Sequence, residues 1–237
     1  MLLLTLRSDE LETNPLLRWL HPRLMTQPKD VVEVTRISVN PLSSEQAQAL
    51  GEALMLDKRT RSQLTALFGS DRASSVQSPF FVTELVRYLT EWQGEQPGEL
   101  DGNAIDADEL LRRRIERLPA LARQVLEVLA TAGRPIQRDI VRKLSGLGGE
   151  ELQTLHKLRV AHFVRIRHGD GVELLEPYHD RIRETVARSI PEARSRTLHG
   201  ALVTALERTS AEDFESLALH CERCGQRERA SQYLQQA

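Results

Sequence analysis

The hydrophobic positions of the chain change period several times, and each change marks a new element. Residues 2–6, Leu-Leu-Leu-Thr-Leu, form a short continuous apolar run closed by Arg7-Ser8-Asp9-Glu10, the pattern of a strand buried on both faces of a parallel sheet. Residues 31–39 are β-branched and partly alternating, which predicts a second strand. Between them Asn14-Pro15 opens a short helix carrying Leu16, Leu17 and Leu20. Two strands and one helix do not cover both faces of a parallel sheet, so the chain is expected to begin inside an α/β domain, of which residues 1–40 are the remnant.

From residue 41 the period becomes helical. Ser43 and Gln46 form a capping box for a helix to about residue 56, with Ala47, Leu50 and Leu54 facing inward. A second helix, near 61–68, carries Leu64, Leu67 and Phe68. A third runs from Pro79 to about residue 92. Ser78 suits its N-cap, and Pro79 suits its first position, where an N–H would have no intrahelical partner anyway. Phe81, Leu85, Val86 and Leu89 predict one buried face and leave Glu84, Arg87 and Glu91 for solvent or a ligand. Residues 41–93 therefore read as a small helical bundle. Gly94, Pro97, Gly98, Asp101 and Gly102 mark a linker over 94–106.

Asp106 and Glu109 are expected to cap the next helix, whose stripe is Leu111, Ile115 and Leu118 before Pro119. Leu121, Val125, Val128, Leu129 and Ala132 define another, stopped by Gly133 and Pro135. Helices over 138–144 and 150–160 follow. Then 163–167 and 172–175 flank His168-Gly169-Asp170-Gly171, whose Asp-Gly pair signals a tight turn. Three helices and then a hairpin is a winged-helix order, assigned to 107–190 together with a helix carrying Ile182, Val186 and Ile190. Leu198, Leu202 and Leu206 mark a further helix. Leu217, Ala218, His220, Gly225, Ala230, Tyr233, Leu234 and Ala237 lie close to the positions of one tetratricopeptide repeat, so 191–237 reads as the start of a helical array; roughly three repeats are needed to bury such a face. The expected class is mostly α.

Composition supports that class and narrows the function. Of 237 residues 40% are hydrophobic but only 4% aromatic, which suits Leu/Val/Ala helix packing better than a β-sandwich. A net charge of −2 gives no global field toward nucleic acid or an acidic membrane. Met1-Leu2-Leu3-Leu4 lacks the basic flank and the length of a signal peptide, no membrane-length apolar run occurs, and the cytoplasm is the expected compartment. Cys221 and Cys224 make no disulfide framework.

Four pieces, in order, resemble the back half of a STAND-type (AAA-like) regulatory ATPase, of the kind attached to bacterial serine/threonine kinases. They are Leu3-Leu4-Thr5-Leu6-Arg7-Ser8-Asp9-Glu10, Leu42-Ser43-Ser44-Glu45-Gln46-Ala47, Ser78-Pro79-Phe80-Phe81-Val82-Thr83-Glu84-Leu85, and Tyr178-His179-Asp180-Arg181-Ile182-Arg183. The resemblance implies a core remnant, a helical lid, a winged helix and the start of repeats. It makes Arg7 the residue that feels the γ-phosphate, and places the helix start at Ser78 and Pro79 against the nucleotide, Pro79 near the adenine. ATP or ADP with Mg²⁺ is the implied cofactor. None of the 13 glycines is followed by Lys, so the chain has no phosphate loop of the Gly-x-x-x-x-Gly-Lys-Ser/Thr kind, and it is not expected to hydrolyse ATP alone. The implied partners are an N-terminal ATPase core or kinase domain and proteins bound through the repeats.

A nucleotide-independent adaptor, binding protein or DNA, is the reading from another class. Against DNA, the third helix of the winged-helix order begins Gly149-Glu150-Glu151, with carboxylates where phosphates would come near. Arg112-Arg113-Arg114, Arg165 and Arg167 read as solvated faces. His179-Asp180 resembles the metal pair of HD-type phosphohydrolases but lacks further ligands at a matching spacing, and Cys221-Glu222-Arg223-Cys224 lacks the second pair that zinc needs.

Overall fold

The computed structural model describes residues 37–54, 78–91, 107–169, 171–209 and 213–237, with positions 15, 18, 19 and 22. Backbone contacts divide the chain into two compact units, Met1–Pro41 and Leu42–Ala237. In the first, the described positions Pro15, Arg18, Trp19 and Pro22 are helical, as the Asn14-Pro15 start predicts. Residues 37–39 correct the second predicted strand: they are not extended into a sheet, and Ile37 and Val39 are 80% and 92% exposed. The rest of both predicted strands, Arg7, and the helix near 61–68 lie outside the described residues.

The second unit is mostly α. Its described residues form ten helices and three short strands. Helix α1 (Ser44–Leu54) starts from the predicted capping box: the Ser43 amide donates to Gln46 Oε1 at 2.9 Å, and the Gln46 amide to Ser43 Oγ at 3.2 Å. Helix α2 (Pro79–Glu91) packs on it, with Ala47, Phe81, Val82, Leu85, Val86, Tyr88 and Leu89 in one apolar cluster.

Helix α3 (Ala107–Glu116) is the wall between that cluster and the main core. Leu110 belongs to the α1–α2 cluster, while its neighbour Leu111, with Ile115, belongs to the main core. Asp106 of the predicted cap lies outside the described residues; the first turn of this helix carries Glu109. It accepts from Arg112 and Arg113, whose guanidinium groups hold its carboxyl below the ordinary range.

Helix α4 (Ala120–Ala132) is the spine of the main core, with Val125, Leu126, Val128 and Leu129 essentially inaccessible. Gly133 ends it in the left-handed region at φ 68°, its amide returning to the Leu129 carbonyl. A two-residue strand, β1 (Ile136–Gln137), leads into α5 (Arg138–Leu144), and α6 (Glu151–Val160) follows. Strands β2 (Val164–Gly169) and β3 (Val172–Pro177) form the predicted hairpin, with Gly171 at φ 75° in the turn. β1 adds to its free edge, pairing Ile136 with Leu175, so the antiparallel sheet runs β1-β3-β2. Helix α7 (Asp180–Ser189) returns across α3 and α4 through Ile182 and Val186; α8 (Glu192–Thr209) packs on α4 and α5. Helices α9 (Phe214–Arg223) and α10 (Arg227–Leu234), joined at Gly225, lean on α8.

Among the described residues no helix is long and apolar enough to cross a membrane.

Candidate functional site

The start of α2 and the start of α7 meet. Ser78 and Pro79 are both exposed, and the Ser78 carbonyl accepts the first helical bond from Val82 at 3.1 Å. Phe80 turns back over His179, the two rings stacked with centroids 4.3 Å apart and planes 24° from parallel. His179 is itself the N-cap of α7, its Nδ1 accepting from the Arg181 amide at 3.1 Å. Asp180 follows as the first helical residue, exposed and 3.4 Å from Arg183. Two helix N-termini, with their positive dipole ends, thus meet through this stack, the Arg181 amide being already taken by His179. Of the predicted nucleotide residues, Ser78 and Pro79 are here, and Arg7 lies outside the described residues. In the sequence His179 belongs to the Tyr178–Arg183 piece, with a metal role set aside for want of further ligands; what places it in this site is its stacking on Phe80, which no local pattern announces.

One turn further along α2 the prediction fails. Glu84 does not face solvent. It is 0% exposed and forms an ion pair with Arg114, itself 4% exposed, so the basic run on α3 is not wholly a solvated face either. Arg87 closes on the same carboxylate at 2.8 Å. Arg114 also donates to the Ala161 carbonyl at 3.1 Å, at the end of α6, and sits 4.7 Å from the centre of the Phe163 ring before β2. A carboxylate and a guanidinium withdrawn from water hold together only when each finds such partners. Arg114 therefore ties α2, α3, the end of α6 and the base of the hairpin at one point.

The basic residues weighed for DNA are occupied. Arg165 donates to Glu176 at 2.5 Å, Arg167 pairs with the same carboxylate, and Arg112 and Arg113 engage Glu109 at 2.8 and 2.7 Å. Leu152 and Val160, on the outer face of α6, are 73% and 61% exposed. Cys221 and Cys224 are free thiols, and burial pushes the Cys221 thiol up. Among the described residues no three metal-ligating side chains converge.

No family model matches the chain, and a search of curated proteins returns no match.

Proposed function

We propose that the chain is the lid and signal-relay portion of a STAND-type regulatory ATPase, a nucleotide-gated switch of the kinase-linked kind. In this reading residues 1–40 belong to the ATPase core, α1 and α2 to the lid, α3 to α7 with the sheet to a winged helix, and α9–α10 to a tetratricopeptide-like start. ATP or ADP, with Mg²⁺, would be held in a longer protein whose N-terminal core or kinase-linked domain supplies the phosphate loop; this chain alone does not hydrolyse it. The observation that carries the reading is the stack of Phe80 on His179. A nucleotide resting against Ser78 and Pro79 would lie within reach of both the lid and the helix behind the hairpin, and its phosphate state would be felt by both.

The Glu84–Arg114 pair supports the same mechanism. An apolar contact across an interface resists parting, because opening it exposes oil to water. An ion pair recovers hydration when it opens, so its net hold is small while its geometric demand is high. An interface that must part and re-form in one register is well served by such a clasp, and a population shift between closed and open forms would carry the signal to protein partners on the helical repeats.

The adaptor reading keeps one supporting observation, the exposed Leu152 and Val160 on α6, which suit a protein partner rather than DNA. The two separate by titration of a fluorescent ADP analogue into this chain and into the longer protein encoded when the reading frame is followed upstream of Met1. Binding in the longer protein alone, weakened by His179→Ala, is the expected result. No binding in either, with retention of a protein partner by this chain that Leu152→Asp abolishes, overturns the switch in favour of the adaptor.

A further inference from the structure

Among the described residues polar contacts join helices α9 and α10 to the rest of the unit, and one of them has an unusual chemistry. His199 of α8 and His220 of α9 meet with their Nδ1 atoms 3.0 Å apart, the ring centroids 5.1 Å apart and the planes tilted by 42°. His220 is 1% exposed, and His199 is half-buried. Two imidazole nitrogens at that distance bond only if one carries a proton and the other presents its lone pair. The neutral pair satisfies this. One added proton can sit on a far nitrogen and keep the bond, but only as an imidazolium inside the protein; a proton on both facing nitrogens sets two N–H groups against each other and breaks it.

The surroundings oppose charge on either ring. Burial pushes His220 down to about 4, helped by His199 and Arg134 and opposed only weakly by Asp213. His199 is also lowered, by burial first and then by Arg223. The groups that face the pair are accounted for on each packed element. Arg134, just past α4, is itself engaged by Asp213 and by Ser216 Oγ at 2.6 Å. On α10, Arg229 pairs with Glu207 of α8, and the Tyr233 hydroxyl donates to Glu207 at 2.5 Å, so that contact closes on itself beside the histidines. Next to His220 on α9, burial pushes the Cys221 thiol up, so it supplies no thiolate that would favour an imidazolium.

We infer that the His199–His220 pair is a proton-sensitive latch that holds the α9–α10 hairpin on α8 while both rings are neutral and releases it when the pair is protonated. The sign follows from the direction of the shift. Protonation is easier in the released form, where the ring meets water, than in the docked form. The latch is therefore fully closed above the ordinary imidazole range and weakens as pH falls through the interval between about 6.5 and about 4. Release would uncover the apolar face of α9 around Leu217 and Cys221, now in the main core. This device is independent of the nucleotide reading, since it involves neither Pro79 nor His179.

Amide hydrogen exchange on the whole chain tests it, with rates corrected at each pH for the intrinsic exchange of an unprotected amide. With His220 near 4 when docked and near 6.5 when released, the opening equilibrium of α9 and α10 rises about 20-fold between pH 7 and pH 5. Amides of α4 are expected to change little over the same interval. His220→Asn, which leaves Arg134, Asp213, Arg229 and Glu207 in place, should flatten the response of α9 and α10 to a few-fold at most. Either a wild-type response in which α9 and α10 change no more than α4, or a His220→Asn response as steep as the wild type, overturns the latch. If His220→Asn does not fold, the regional comparison within the wild-type protein decides alone, and His199→Gln repeats the test from the other ring.

Discussion

Arg114→Met is the perturbation that reports most about how the parts of this molecule are joined. The replacement keeps most of the side-chain volume and removes the charge from a site that is 4% exposed. Glu84 then stays buried with only Arg87, whose side chain is 22% exposed, and the Ala161 carbonyl loses its donor at 3.1 Å. Breaking one side of a buried pair costs about 3–5 kcal/mol, and Arg87 as a surviving partner places this case toward the lower end. Glu84→Met takes from Arg114 the carboxylate it meets beside the Ala161 carbonyl and the Phe163 face, and belongs in the same range. The double variant, Glu84→Met with Arg114→Met, buries two thioethers and no charge, and should return to within about 1–2 kcal/mol of the wild type. Urea unfolding followed by far-UV circular dichroism at pH 7 gives the four corners of the cycle, and the account requires a coupling of about 2 kcal/mol or more. Single variants that each lose less than about 1 kcal/mol, with the double equal to their sum, would refute the claim that this pair joins α2 to the rest.

Three further outcomes follow from local chemistry. Ser43→Ala removes the acceptor of the capping box and should cost about 1 kcal/mol, read by the same unfolding assay; a change below a few tenths would mean the box is idle. Gly133→Ala meets no atom within 4 Å, so its cost is the left-handed backbone alone, about 1 kcal/mol or roughly 2–4 °C in melting temperature, and an unchanged Tm would contradict the turn. A thiol reagent should modify the partly exposed Cys224 well before the fully buried Cys221, as peptide mapping after timed quenching would record; equal rates would contradict the packing of α9.

Local chemistry was what the sequence made legible. The capping box at Ser43, the stop at Gly133, the turn at Gly171 and the helix at 138–144 each depend on neighbours within a few residues, and each can be read in order along the chain. Strand β1 was not legible, because two residues carry no period and its pairing with Leu174 and Leu175 is made across the fold. Glu84 looks solvent-facing on a helical wheel, and only Arg114, thirty residues away, turns it inward. Leu110 and Leu111 are adjacent and both fully buried, which a single amphipathic stripe cannot express; α3 is buried on two sides because two cores share it. At the candidate site the sequence marked Ser78 and Pro79, while His179 entered through a stacking contact between residues about a hundred positions apart.

The account stands or falls on whether nucleotide changes the separation of α2 from α7. Thr90 and Ala187 are exposed residues on those two helices, and spin labels there, with Cys221 and Cys224 replaced by Ala, report it by pulsed dipolar spectroscopy on a chain extended upstream of Met1, in which the proposed nucleotide site would be complete. The account predicts a short-distance population with ADP that gives way to a longer one with a non-hydrolysable ATP analogue, with Arg114→Met favouring the longer distance in both. A single distribution, the same with ADP, with the ATP analogue and without nucleotide, would contradict it.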